Sequence, residues 1–170
     1  DMQRDYDGFA RSVRSVMQQA GRGRLSGVHG PVSALLSTEN RFVTAIDTAL
    51  GASASSIVVG SAEDGRACIE YLRRTDGGRA TFLPLDTIRP STLRESGLDR
   101  ERGCCGTADT LVQFDETYGA VVRSLLARTV VCENMDAALA LARSRGHRFR
   151  IVTLDGQIIQ PGGAMTGGSA

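Results

Sequence analysis

The sequence predicts a mixed α/β protein built as two α/β subdomains. Helical and strand-like segments alternate along the chain, the two halves repeat the same order, and a proline-containing stretch of balanced charge separates them. In each half an apolar helix precedes a short Val-rich strand: Arg41–Leu50 before Ser56–Val59, and Asp115–Leu126 before Thr129–Cys132. A second helix and an Arg-initiated strand then follow. No strict sequence period accompanies this, so the repetition is expected in structure. The expected division is a helical stub at 1–20, subdomain I at 21–90, a linker at 91–106 and subdomain II at 107–170.

Residues 1–20 carry Met2, Tyr6, Phe9, Val13, Val16 and Ala20 in 4-3-4-3-4 spacing, the seam of a heptad. A lone helix of this length is marginal in water. It therefore packs on the domain or continues a coiled coil. GRGRLSGVHG (21–30) is a connector bearing Arg22 and Arg24. Pro31–Leu36 suits a short helix, with Pro near its first position. Arg41–Leu50 is a clearer helix, with Phe42, Ile46 and Leu50 on one face and Gly51 as its stop. Ser56–Val59 reads as a buried strand, Ala62–Arg73 as a helix, and Arg79–Leu83 as a strand closed by Pro84.

The stretch around 91–106 reads as solvated linker ending in a Gly-Cys-Cys-Gly turn. Beyond it come a short apolar segment (Thr107–Gln113), the helix Asp115–Leu126, the strand Thr129–Cys132, the helix Met135–Arg145 and a strand reaching Leu154. Asp155-Gly156 is a strong two-residue hairpin signal, and Gln157–Gln160 returns as a second strand. The segment GGAMTGG then offers four glycines in seven residues. Such a stretch is either a loose tail or a strand edge bare enough for another backbone to approach.

Composition excludes several functions. All 20 basic residues are Arg. Without Lys, the chain carries neither a Walker A phosphate loop nor a Schiff-base nucleophile. Cys68, Cys104, Cys105 and Cys132 lack zinc-site spacing, and adjacent Cys104 and Cys105 bridge poorly, so four reduced thiols and no metal are expected. No cofactor motif, nucleophile elbow or Cys–His pair is present, and the acids sit where helix dipoles account for them. No catalytic residue is assigned. No apolar run is long enough to span a membrane and no signal peptide opens the chain, which predicts a cytoplasmic protein. Net charge is +1. A DNA partner would therefore need local clusters, and Arg143, Arg145, Arg148 and Arg150, joined by Arg22 and Arg24, are the candidates.

Six stretches stand in order along the chain: DYDGFARSVRSVM, GVHGPVSALL, RFVTAIDTALGASASSIVV, GRATFLPLD, LVQFDETYGAVVRSLLARTVV and FRIVTLDGQIIQPGGAMTGGS. Together they resemble the hinge domain of SMC (structural maintenance of chromosomes) proteins, most like the bacterial homodimeric kind. The resemblance covers about residues 5–170. It implies two pseudo-twofold-related α/β subdomains, with the 1–20 seam as the end of a coiled-coil strand and a returning coil helix beyond Ala170. It implies a homodimer in which Gly162, Gly163, Met165, Thr166, Gly167 and Gly168 lie at the contact. It further implies a role in chromosome condensation and segregation, with ATP hydrolysis on distant heads and weak, non-specific DNA contact. Condensin accessory subunits and a nucleoid-associated location follow from the same resemblance. A module that mainly binds DNA, with dimerisation secondary, is the alternative.

Overall fold

The computed structural model describes Tyr6 and residues 8–169. In chain order the helices are α1 (Arg11–Gly21), α2 (Val43–Leu50), α3 (Ala62–Thr75), α4 (Gly119–Leu126) and α5 (Met135–Ser144). The strands are β1 (Val28–Pro31), β2 (Leu36–Thr38), β3 (Ile57–Val59), β4 (Phe82–Pro84), β5 (Cys104–Thr107), β6 (Val112–Phe114), β7 (Thr129–Cys132), β8 (Arg150–Thr153), β9 (Ile158–Ile159) and β10 (Met165–Thr166).

Two compact units emerge. The first comprises Asp1–Leu36 and Ala52–Arg89, the second Ser37–Gly51 and Pro90–Ala170. The expected contiguous subdomain I (21–90) is thus corrected, because α2 belongs with the second unit. There Arg150 Nη2 donates to the carbonyl of Ala49, 2.7 Å away, and fastens the end of α2 to β8. The expected linker 91–106 is corrected too: it belongs to the second unit and contributes β5.

The first unit is a three-stranded sheet in the order β1-β3-β4, with β1 antiparallel and β4 parallel to β3. β3 is buried along its whole length, as a central strand covered on both faces must be. α3 supplies the crossover to β4. Ser61 caps it by accepting from the Asp64 N–H (3.1 Å), and Asp76 ends it in the left-handed conformation. Val13, Val16 and Met17 of α1 pack with Ile57, Val59, Cys68 and Leu72. Ser12 Oγ donates to the Arg79 carbonyl at 2.7 Å, and Ser15 and Tyr71 share a hydrogen bond at 2.6 Å. Of the expected 1–20 helix, then, Arg11–Gly21 is a helix built into the domain. Tyr6 and Phe9 precede it with rings 6.2 Å apart, and Met2 lies outside the described residues. Pro31 ends a strand instead of starting a helix; only Val32–Ala34 turn, as 3₁₀.

The second unit is a five-stranded sheet in the order β10-β9-β8-β7-β5, beside a β2-β6 ladder. β5 is antiparallel and β8 parallel to β7, with α5 as the crossover. The first unit shows the same pattern in β1, β3 and β4, so the repetition of element order is real. α5 covers one face of this sheet through Ala138, Leu141 and Ala142, packed with Val130, Phe149, Ile151 and Ile159. The Gly-Cys-Cys-Gly stretch is a strand with a bulge between Cys104 and Gly106, not the expected turn. Its backbone finds a ladder partner in β7, and this outweighs the turn propensity of its glycines.

Candidate functional site

Among the described residues β1 and β4 are the end strands of the first unit's sheet and β5 and β10 those of the second, and β4 and β10 each leave one edge unpaired. β10 exists because the chain reverses twice. Asp155-Gly156 turns β8 into β9, with Gly156 at φ +87°. Gln160-Pro161-Gly162-Gly163 then turns β9 into β10, with the Gly163 N–H donating to the Gln160 carbonyl at 2.9 Å. Pro at the second position and a glycine at φ +86° at the third make this a type II turn.

The Gln160 N–H donates to the Ala164 carbonyl at 2.7 Å, so Ile159 and Met165 form a non-hydrogen-bonded pair. The N–H and C=O of Met165 therefore point away from β9, onto the open edge. The Met165 side chain is 54% exposed, and Thr166 is exposed beside it. Past β10, the Gln157 side-chain amide accepts from the Gly168 N–H (2.8 Å) and donates to the Gly168 carbonyl (3.2 Å). This amide takes the place of a strand partner for the stretch after β10.

The glycines have separable reasons. Gly162, Gly163 and Gly168 have φ of +86°, +106° and +130°, which side chains resist. A Cβ on Gly162 or Gly168 would meet no atom of the chain, whereas one on Gly167 would run into the Gln157 side chain. Part of the motif thus shapes the edge from within the protomer, and the rest leaves it bare.

At β4, Ile57 N–H donates to the Thr81 carbonyl and Leu85 N–H to the Val59 carbonyl, both at 2.8 Å. That register turns Phe82 N–H and C=O outward. Pro84 fits here because an edge strand does not need its N–H. The strand starts three residues later than the expected Arg79–Leu83, since the Arg79 carbonyl is taken by Ser12. Alongside lies an open groove between α3 and β4, lined by Gly65, Ile69, Arg73, Ala80, Phe82 and Pro84. Ile69 is 48% exposed, a large apolar side chain left on a helix surface.

The basic candidates separate. Arg145 Nη1 donates to Glu95 Oε1 (3.0 Å) and to the Ser96 carbonyl (2.9 Å), and its Nη2 to Glu101 (3.1 Å). Arg148 grips the same Glu95 through Nε (3.1 Å) and Nη2 (3.0 Å). Only 9% of the Glu95 side chain and 15% of that of Arg145 is exposed. The Arg148 hydrogen bond, with help from Arg145, holds the Glu95 carboxyl below the usual carboxylate range. Arg150 is half-buried and also donates to Thr129 Oγ1 (2.8 and 3.0 Å). These three arginines tie the 91–102 stretch and α2 onto the sheet. Arg22 and Arg24 in the first unit and Arg143 in the second are exposed. The sequence does not display the acids because they lie 44 to 53 positions away, and it does not display the Gln157 clamp, the open edge of the expected β4 strand or the exposure of Ile69, because nothing local marks an edge.

Comparison with known proteins bears on this pair of edges. The profile of the SMC proteins flexible hinge domain matches residues 25–142. The chain belongs to the SMC hinge family. It is 42% identical over 171 residues to the chromosome partition protein Smc of Bacillus subtilis, and 40% identical over 159 residues to that of Methanocaldococcus jannaschii. The alignments cover 99% and 94% of this chain, but only 14% and 13% of those relatives. Among solved structures, the Geobacillus stearothermophilus SMC hinge domain, described as an asymmetric dimer, superposes with a TM-score of 0.93 at 42% identity. That match covers 99% of this chain and 69% of the other. The Pyrococcus furiosus SMC hinge domain gives 0.77 at 29% identity, covering 98% and 84%. The expected mixed α/β hinge fold is therefore correct. Among the described residues no group of His, Cys, Asp or Glu could hold a metal ion, and no helix is long and apolar enough to cross a membrane.

Proposed function

We propose that this hinge is a homodimerisation module that joins two SMC arms, and that it does so by continuing one sheet into another. The open β10 edge of one protomer pairs with the open β4 edge of its partner. The observation that carries this reading is the match of the two edges. Each presents one outward N–H and C=O, at Met165 and Phe82, and each has apolar surface beside it, Met165 on one side and Ile69 on the other. Strand addition of this kind gains main-chain hydrogen bonds and takes specificity from neighbouring side chains. An exposed edge left open invites the same reaction with unintended chains.

A twofold dimer has two identical junctions, and a stable one buries on the order of 1,600 Å² or more. Gly162, Gly163, Met165, Thr166, Gly167 and Gly168 form one side of each junction. The arms and the ATPase heads belong to the remainder of an SMC protein, which would take condensin accessory subunits as partners, and the closed pair would help enclose DNA in the nucleoid. Sedimentation equilibrium over a dilution series tests the reading: twice the chain mass is expected, falling to the monomer mass for Met165→Asp with the circular dichroism unchanged. A wild type that stays monomeric at every concentration would overturn it.

DNA contact is secondary in this reading and rests on Arg22, Arg24 and Arg143, because Arg145, Arg148 and Arg150 are engaged within the chain. Such binding is non-specific and falls with salt as counterions are released. Reversing the charge of Arg22, Arg24 and Arg143 together is expected to remove it while leaving the dimer intact. Undiminished binding would exclude these positions.

A further inference from the structure

We propose that Cys104 and Cys132 form a redox-active dithiol that exchanges with small disulfides and closes a cross-strand disulfide inside the second unit. The two residues are direct partners in the β5–β7 ladder. The Glu133 N–H donates to the Gly103 carbonyl at 2.8 Å, which makes Cys104 and Cys132 a non-hydrogen-bonded pair. In such a pair the Cα atoms approach to about 4.5 Å and the side chains come closest. That lies within the span of about 4.4–6.8 Å that disulfides bridge. The neighbouring thiol is a different case. Cys105 falls at the bulge, between the Cys104–Cys132 and Gly106–Val131 pairings, and has no ladder partner.

The two thiols differ in the way an exchanging pair requires. Cys104 is half-buried and Cys132 is fully buried. The adjacent Cys132 thiol favours the Cys104 thiolate, lowering its pKa against the opposing effect of burial. The Cys104 neighbour, with burial, pushes Cys132 up. Cys104 is thus the attacking group and Cys132 the resolving one.

The chemistry balances with a low-molecular-weight disulfide as oxidant. The Cys104 thiolate attacks one sulfur of the small disulfide, forming a mixed disulfide and expelling one thiolate. Cys132 then loses its proton to that thiolate and attacks the Cys104 sulfur, and the second small thiolate leaves and takes up a proton. Two protein thiols are oxidised to one disulfide, and one small disulfide is reduced to two thiols. The product would lock β5 to β7, in the sheet whose far edge is β10. Cys68, alone in the first unit and fully buried, is an internal control; burial raises its thiol to about 11.

The experiment incubates the 170-residue chain with glutathione disulfide, alkylates the remaining thiols after unfolding, and maps peptides without reduction. A Cys104–Cys132 linked peptide is expected, with Cys68 still alkylated and full reversal by dithiothreitol. Cys105→Ser is expected to form the link unchanged. Cys104→Ser should leave Cys132 alkylatable. A stable glutathione adduct on Cys104 or Cys105, a Cys104–Cys105 link, or four thiols that all remain alkylatable in the wild type would each overturn the assignment, whether or not the variants fold.

Discussion

Replacing Gln157 by Ala should weaken the dimer while leaving each protomer folded. The Gln157 amide makes two hydrogen bonds to the backbone of Gly168, at 2.8 and 3.2 Å, and both lie at the surface. Neutral hydrogen bonds are worth about 0.5–1.5 kcal/mol each, and exposed ones sit at the low end, so about 1–1.5 kcal/mol of anchoring is lost per protomer. In the free protomer this loosens only the stretch after β10. In the dimer the stretch must be ordered again on association, at both junctions of the twofold pair. The cost is about 2–3 kcal/mol in all, or roughly a 30- to 150-fold rise in Kd. Sedimentation equilibrium or mass photometry over a dilution series reads this directly, with urea unfolding as the check on the protomer. Gln157→Glu keeps an acceptor for the Gly168 N–H but loses the donor, so it should fall between wild type and Ala. A Gln157→Ala dimer within about threefold of the wild-type Kd would show that the clamp does not preorganise the edge.

Other perturbations separate interface from core. Met165→Ala should raise the dimer Kd by a similar factor, since burying its exposed half contributes about 1 kcal/mol at each of two junctions. Val43→Ala, at a comparably exposed apolar residue that lies on neither edge strand, should leave Kd unchanged in the same dilution assay. Ile151→Ala should cost about 2–5 kcal/mol of stability by urea melt, because Ile151 is fully enclosed among Leu141, Phe149 and Ile159. Glu95→Gln should lower the thermal midpoint at neutral pH. The carboxyl's folded pKa lies below its unfolded value of about 4.3, so its contribution is complete above that value and vanishes as pH falls through the folded pKa. The gap between wild type and Glu95→Gln should therefore close on acidification, and a gap that persists in acid would contradict the ion-pair account.

Much of the fold was legible because it rests on local signals. Thr129–Val131 is an unbroken β-branched run, and with Cys132 it forms a strand with the expected bounds. Asp155-Gly156 demands its turn, and Gly51 stops a helix at φ +54°. What the sequence does not display is pairing at a distance. β5 looks like a turn until β7 gives its backbone a partner. α2 looks like part of the first half until Arg150 reaches Ala49 across 101 positions. The arginines of 145–150 look like an open cationic patch until Glu95 and Glu101 fold back onto two of them. At the candidate interface the glycine motif was visible, but its physical reasons divide between left-handed turns and the Gln157 clamp. The β4 edge lies within GRATFLPLD, but nothing in that stretch marks the strand as unpaired, since an unpaired N–H is a property of the sheet and not of a residue type.

The central claim is that Met165 of one protomer and Phe82 of its partner exchange main-chain hydrogen bonds. Residue-resolved hydrogen exchange of these two amides, measured above and below the dimer dissociation constant, addresses it most directly. Both should exchange rapidly in the dilute monomer and gain protection together as the dimer forms. A dimer in which both amides still exchange as in the monomer would contradict the account and place the contact elsewhere on the surface.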